Sequence, residues 1–60
     1  MNWKNAQKDE PPMNGQEVLI AVQGVYYYAI YKEELGGFQV NEDHFISIKD
    51  VTVYWMDNSI

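Results

Sequence analysis

Residues 17–32 read EVLIAVQGVYYYAIYK, two apolar runs separated by the pair Gln23-Gly24. Short runs rich in β-branched and aromatic residues are typical of β-strands. Two residues between such runs are the spacing of a tight β-hairpin. The segment therefore predicts a hairpin that extends from Glu17 to Lys32.

The register of this hairpin follows from pairing Val22 with Val25 across the turn. Successive side chains of a strand point to opposite faces, so the register sorts the hairpin into two faces. The face predicted to form the core carries Val18, Ile20, Val22, Val25, Tyr27, Ala29 and Tyr31. The opposite face carries Glu17, Leu19, Ala21, Gln23, Tyr26, Tyr28, Ile30 and Lys32. A slip of one residue would exchange the two faces.

Shorter strands are predicted after the hairpin. A polar connection over 32–37 ends in the pair Gly36-Gly37 and leads to a third strand over 38–40. Residues 41–44 are expected to form an acidic loop, residues 45–48 alternate less cleanly, and 51–56 are the last strand after a turn at Lys49-Asp50. No segment of ten residues has a 3.6-residue period. The predicted fold class is all-β: a small antiparallel sheet of four to five short strands, twisted or forming a partly open barrel.

The chain of 60 residues is long enough for a single domain, 1–60. Residues 1–14 are predicted to be an irregular segment that leads into the domain, and 57–60 a tail. Within the first segment, Trp3 is expected to anchor the chain on the core, against Trp55-Met56. Both residues of that last pair are expected to be in the core.

The charge balance bears on the class of partner. The chain has four Lys, no Arg and nine acidic residues, and a net charge of −5. Proteins that bind nucleic acid or anionic membranes neutralise phosphates with Lys and Arg, so neither is expected as a partner. An acidic surface suits solubility, a basic protein partner, or mimicry of nucleic acid.

The absence of cysteine excludes disulfide bonds and thiolate metal sites. No run approaches the ~20 apolar residues of a transmembrane helix, and the N-terminal residues lack the apolar core of a signal peptide. These features predict a soluble, cytoplasmic protein.

Several short motifs occur in a recurring order: Trp3, a turn with Pro and Gly, the segment Gly15 to Ile20 (GQEVLI), and the segment Val53 to Met56 (VYWM). This order resembles a small bacterial and phage domain family of unknown function, whose members read W, LP, GQxVLV and a HWMPLP-like segment. Tyr54 stands at the position of the family's His, and Asp57-Asn58 replace the following proline. The resemblance implies a phage or mobile-element origin and no established activity.

The one cluster of residue types common in active sites is Glu42-Asp43-His44. Adjacent residues seldom converge on one metal ion, and a general base would need an oriented second group. Gly36-Gly37 lacks the GK[ST] sequence and the helix of a phosphate-binding loop, so it is interpreted as a turn. No catalytic residue, metal ligand or cofactor is predicted.

The candidate protein-binding residues are Tyr26, Tyr28, Glu33 and Glu34. Tyrosines on an exposed sheet face are common anchors of protein–protein interfaces. The expected function is a non-catalytic protein-interaction module, and one version is an acidic inhibitor of a host protein. The alternatives are a hydrolase or metal-dependent enzyme centred on His44, and a structural subunit that acts as a homodimer or larger homo-oligomer.

Overall fold

The computed structural model describes residues 3–57. Along these residues the elements are β1 (Lys4–Asn5), β2 (Glu17–Val22), β3 (Val25–Lys32), the 3₁₀ turn η1 (Glu33–Leu35), β4 (Gly37–Asn41), β5 (His44–Ser47) and β6 (Tyr54–Asp57). The strands form one antiparallel sheet in the order β1-β6-β2-β3-β4-β5, and the sheet does not close on itself. The prediction of a small, open, all-β fold is confirmed. The sheet has six strands: β5 corresponds to the less regular run over 45–48, and β1, within the segment predicted to be irregular, is the additional strand.

The hairpin of β2 and β3 has the predicted register. Val22 lies opposite Val25, and Leu19 lies opposite Tyr28. The turn between the strands places both Gln23 and Gly24 at positive φ, 51° and 82°. Positive φ at both central residues is the type I′ geometry, whose twist matches that of the paired strands.

The core lies on one face of the sheet. Its buried side chains are Ala6, Val18, Ile20, Val22, Ala29, Tyr31, Phe38, Ile46, Val53 and Trp55. Two members of the predicted core face depart from it: Val25 is 49% exposed, and Tyr27 is only partly buried. Both line an open pocket at the turn end of the hairpin, where the core is not fully covered.

Irregular segments cover this core face in place of a second sheet. The N-terminal segment is held by the Ala6 N–H, which donates to the Val53 carbonyl at 2.9 Å. It is held again by the Trp55 Nε1–H, which donates to the Glu10 carbonyl at 3.1 Å. Residues 48–53, between β5 and β6, pack Val51 and Val53 against the core. The core is therefore closed by two crossing segments of the same chain.

The predicted last strand was wrong at its start. The strand begins at Tyr54, and residues 51–53 form no strand although Val53 is buried. The reason is that β6 pairs with β2 and β1, not with β5. Residues 48–53 must cross the core to reach that position, so the connection is not a tight hairpin at Lys49-Asp50. Asp57 ends β6, so it does not belong to a tail, and the remaining tail residues 58–60 lie outside the described part.

The acidic loop predicted over 41–44 is shorter in the structure. Asn41 ends β4 and His44 begins β5, so the turn itself consists of Glu42-Asp43. The pairing shifts by one residue between Gln39 and Asn41, and the Gln39 Nε2–H donates to the carbonyls of Asn41 and His44. This side-chain amide ties together the end of the β4–β5 hairpin.

The predicted position of Trp3 was also wrong. Lys4 lies opposite Trp55, so it is Lys4 that points to the core face, with its Nζ 5.1 Å from the centroid of the Trp55 ring. Side chains alternate along a strand, so Trp3 points the other way. Its ring lies 5.9 Å from that of Tyr26, on the face opposite the core. Met56 likewise is half-buried on that face, whereas Trp55 is buried as predicted.

The turn geometry predicts that Gln23→Asn stabilises the protein by about 0.5–1 kcal/mol. The left-handed conformation costs an ordinary L-residue roughly 1–2 kcal/mol, and Asn tolerates it better than Gln. Thermal unfolding followed by circular dichroism measures the effect, expected as an increase in Tm of about 2–8 °C.

The control for this prediction is Gly24→Ala. A Cβ on Gly24 meets no atom within 4 Å, so its effect reports backbone conformation alone. Its expected result is a lower Tm. An unchanged or lower Tm for Gln23→Asn would contradict the claim that Gln23 is strained in the type I′ turn.

Candidate functional site

The most distinctive surface is the face of the sheet opposite the core, here called the outer face. Five of its large side chains are exposed: Tyr26 (65%), Tyr28 (63%), Tyr54 (44%), Ile30 (39%) and Phe45 (36%). Three smaller or flexible side chains between them are half-buried: Leu19, Ala21 and Met56. Single exposed apolar residues are normal on a protein surface, whereas larger apolar patches are found at many interaction sites. Gln39 on β4 lies between Ile30 and Phe45, so the apolar side chains of this face are contiguous on β6, β2 and β3, and Phe45 stands apart.

Strand pairing arranges the outer face in rows. Ala21 lies opposite both Tyr26 and Tyr54, so a small residue on β2 is flanked by a tyrosine on each side. In the adjacent row, Leu19 lies opposite both Tyr28 and Met56. The alternation of large and small side chains gives a surface with a shallow depression over β2, bordered by phenol rings.

Trp3 reaches this surface from the segment before β1. Its contact with Tyr26 crosses the two strands β6 and β2 that separate β1 from β3. Trp3 is itself half-buried. The N-terminal tryptophan thus covers one part of the outer face and leaves Tyr28, Ile30 and Phe45 uncovered by it.

Charged residues are concentrated at one end of the outer face. Glu17 lies opposite Ile30, and Lys32 follows on the same side of β3 by alternation. Glu33 and Glu34 come next, in η1, and both are exposed. The four predicted protein-binding residues are therefore all exposed, with the tyrosines in the middle of the face and the two glutamates at its end.

Three further carboxylates, those of Glu42, Asp43 and Asp50, do not join this end. Glu42 and Asp43 form the turn at the far end of the β4–β5 hairpin. Asp50 lines the pocket at the turn end of β2 and β3. The carboxylates of Glu33 and Glu34 are thus separated from those of Glu42, Asp43 and Asp50, and this distribution gives no support to mimicry of a nucleic-acid backbone.

A concave pocket of about 310 Å³ contains the one histidine of the chain. His44 is half-buried there, and its ring meets the ring of Tyr27 edge-on, with centroids 5.3 Å apart and an interplanar angle of 89°. Ser47 and Asp50 line the same pocket. An enzyme centred on His44 requires a second polar group within hydrogen-bonding distance of the imidazole ring.

That second group is not in place between residues 3 and 57. No hydrogen bond of the His44 ring occurs there, and the Ser47 Oγ accepts from the Lys49 N–H at 3.2 Å. Over the same range, no three His, Asp or Glu side chains are grouped as metal ligands. The pocket therefore brings together His44, Ser47 and Asp50 without the hydrogen-bonded relay that nucleophilic catalysis uses.

The pair Gly36-Gly37 has a structural role in the backbone. Gly36 ends η1 at φ 69° and donates its N–H to the Glu33 carbonyl. A Cβ on Gly37 would clash with the Ile46 carbonyl and with the Phe45 ring, which lies over the glycine. The glycine pair thus makes a turn and a close approach between β4 and β5.

Comparison of the chain with protein-family models, with curated proteins and with solved structures gives no match. The family resemblance noted from the sequence stays a prediction. Separately, in the part of the chain that the structure describes, no helix is long and apolar enough to cross a membrane.

Two parts of the surface were not predicted from the sequence. Tyr54 belongs beside Tyr26 only because β6 pairs with β2, and nothing local in the sequence indicates that pairing. Phe45 joins the outer face through the β4–β5 pairing, and the same pairing brings His44 to the pocket. The alternation of Tyr54 with Trp55 was the one available signal, since it sets Tyr54 on the face away from the core.

The exposure of the tyrosines predicts that they contribute little to folding. We expect Tyr26→Thr and Tyr28→Thr each to change the free energy of unfolding by no more than about 0.5 kcal/mol, because Thr keeps β-propensity and little burial is lost. The control Tyr31→Ala removes a ring that is 5% exposed and should cost about 3–5 kcal/mol. Urea denaturation measures all three, and a loss above 2 kcal/mol for Tyr28→Thr would show that the ring is structural.

Proposed function

We propose that this chain is a non-catalytic protein-interaction module, and that its outer face binds a basic, arginine-bearing surface of another protein. The observation that carries the proposal is the exposure of Tyr26 and Tyr28, 65% and 63%, on the aromatic and aliphatic surface that β6, β2 and β3 form. Tyr is among the residues that dominate interface energetics, because its ring buries a large area and its hydroxyl can still form hydrogen bonds.

Charge favours a basic partner over a second copy of this chain. Each copy carries a net charge of −5, so two copies repel one another, whereas a basic surface is attracted. Arg is enriched at interfaces and stacks on tyrosine rings, where a cation–π contact contributes about 0.5–2 kcal/mol. Glu17, Glu33 and Glu34 lie at one end of the same face and supply carboxylates for the guanidinium groups.

The size of the outer face also favours a partner other than itself. The five strands β2 to β6, spaced about 4.8 Å apart and averaging about 18 Å in length, give a face of roughly 430 Å² in projection. Stable homodimers commonly bury about 1,000 Å² or more on each subunit. The face is thus suited to a weak or transient complex, extended by the neighbouring η1 glutamates.

The same proposal places the chain in the cytoplasm and gives it a phage or mobile-element origin. The support is the order of Trp3, the GQEVLI segment and the VYWM segment, which resembles the small phage domain family. A host protein is then the expected partner, and inhibition of that protein the expected effect. The scattered carboxylates favour contact through the aromatic face over mimicry of nucleic acid.

The test compares three double variants of the tagged chain in a pull-down from host lysate. Tyr26→Thr/Tyr28→Thr and Glu33→Lys/Glu34→Lys alter the proposed face. Glu42→Lys/Asp43→Lys makes the same charge change at a distant turn and is the matched control. We expect the wild type and the control to capture the same protein, and both face variants to lose it.

The captured protein is then identified and purified, and its dissociation constant is measured at two salt concentrations. The proposal expects a basic contact surface, weaker binding at higher salt, and at least a tenfold loss for Tyr26→Thr/Tyr28→Thr. Equal recovery by all variants would remove the outer face as the binding surface. Light scattering that showed a dimer of the wild type, lost in the tyrosine variant, would instead assign the face to self-association.

A further inference from the structure

A second surface, separate from the outer face, lies at the edge of the sheet. β5 is the last strand in the sheet order, and within the described residues it pairs with β4 alone. Just beyond β5, the Ile48 N–H donates to the Gly36 carbonyl at 3.1 Å. Hydrogen-bonded and non-bonded residue pairs alternate along an antiparallel ladder. This one bond therefore shows which residues of β5 direct their N–H and C=O groups toward β4.

By this alternation, Ile46 of β5 and Phe38 of β4 form a hydrogen-bonded pair. Phe45 and Ser47 therefore direct their backbone N–H and C=O groups away from the sheet. The Ser47 carbonyl accepts from the Asp50 N–H at 3.2 Å. Phe45 and Ser47 are the non-bonded positions of the β4 ladder, and among residues 3–57 no turn, loop or side-chain hydrogen bond involves their N–H groups or the Phe45 carbonyl.

Edges of this kind are usually blocked by proline, by lysine or by a bulge that twists the strand away. β5 reads HFIS and contains neither residue, and the pairing irregularity lies at the hairpin end, between Gln39 and Asn41 of β4. Two free N–H donors with an acceptor between them match the backbone of an extended peptide.

The pocket of about 310 Å³ lies directly beside this edge. All four residues of β5 line it, together with Val22, Gln23, Val25, Tyr27, Asp50 and Val51. The volume is at the lower limit of small-molecule sites, which span about 300–1,000 Å³. It accommodates one or two aliphatic side chains, as a strand that adds to β5 would project at alternate positions.

Charge indicates what kind of peptide fits. Asp50 lines the pocket, and Glu42-Asp43 immediately precede β5. The ion pair present among residues 3–57 joins Lys4 to Glu10, so none of these three carboxylates is paired with a cation there. A basic segment is attracted to this edge, and an acidic one is repelled.

We propose that β5 binds an extended, basic peptide segment as an additional β-strand, with an aliphatic side chain in the His44 pocket. Recognition uses the backbone N–H groups of Phe45 and Ser47, the pocket, and the carboxylates of Asp50 and the preceding turn. This site shares Phe45 with the outer face but involves neither Tyr26 nor Tyr28, on which the partner proposed for that face depends.

The experiment titrates the ¹⁵N-labelled full chain with a fluorescent eight-residue peptide that alternates valine and lysine. Binding is expected, with the amide protons of Phe45 and Ser47 becoming protected from exchange, and with affinity falling as salt increases. The first control is the same peptide methylated on every backbone nitrogen, which retains the side chains and charges but has no N–H donor. It should not bind.

Protein variants test the edge directly. Ser47→Pro removes one outward N–H, and proline is tolerated at an edge position because that N–H serves no ladder bond. Ser47→Ala is its matched control, since both variants lose the hydroxyl that accepts from Lys49. We expect Ser47→Pro to weaken binding about three- to tenfold relative to Ser47→Ala, the range for one hydrogen bond. Asp50→Asn should weaken peptide binding relative to the wild type and reduce the salt dependence of that binding.

Three results would overturn the proposal: no binding of the unmethylated peptide, equal binding of the methylated peptide, or equal affinity of Ser47→Pro and Ser47→Ala. Should Ser47→Pro fail to fold, the comparison of the two peptides on the wild type decides. Tyr26→Thr/Tyr28→Thr is expected to bind the peptide as the wild type does. A loss in that variant would assign the peptide to the outer face, so the two proposals fail separately.

Discussion

The register of the β2–β3 hairpin is the constraint on which the rest of the structure depends. The two-residue turn at Gln23-Gly24, with both residues at positive φ, fixes Val22 opposite Val25. Every other strand is then added to this pair: β6 to the free side of β2, and β4 to the free side of β3. A shift of β3 by one residue against β2 would bring Tyr26 and Tyr28 to the core face and turn Ala29 and Tyr31 toward water.

The second determinant is that the sheet is covered on one side alone. A chain of this size buries only about 60% of its unfolded surface, so it cannot cover both faces of a six-stranded sheet. The available covering segments, residues 6–16 and 48–53, both pack on the core face. On the opposite face, Trp3 reaches Tyr26 from outside the strands. The aromatic character of the outer face is thus a direct result of how little chain is left to cover it.

The parts of the fold that the sequence predicts are those determined locally. The hairpin register follows from turn length and alternation, and it correctly assigns Tyr26 and Tyr28 to the exposed face. The position of β6 does not follow in this way, because its pairing with β2 joins distant segments and depends on the burial of Trp55. Trp3 was assigned to the core from hydrophobicity, whereas the β1–β6 register gives that side to Lys4. The pocket was not predicted for the same reason: its walls come from three separate segments.

The pairing of β1 with β6 places the two ends of the described chain side by side. Lys4 lies opposite Trp55, and Asn5 opposite Tyr54, so a short linker could join the region of Trp3 to that of Asp57. The connectivity could then be opened at the exposed turn Glu42-Asp43, between β4 and β5, with every strand pair retained. In such a rearranged chain the β4–β5 pair would become the contact between its first and last strands. The order of the strands along the chain can thus change while their order in the sheet stays the same. Because its ends lie side by side, the fold is also suited to insertion within a loop of a larger protein.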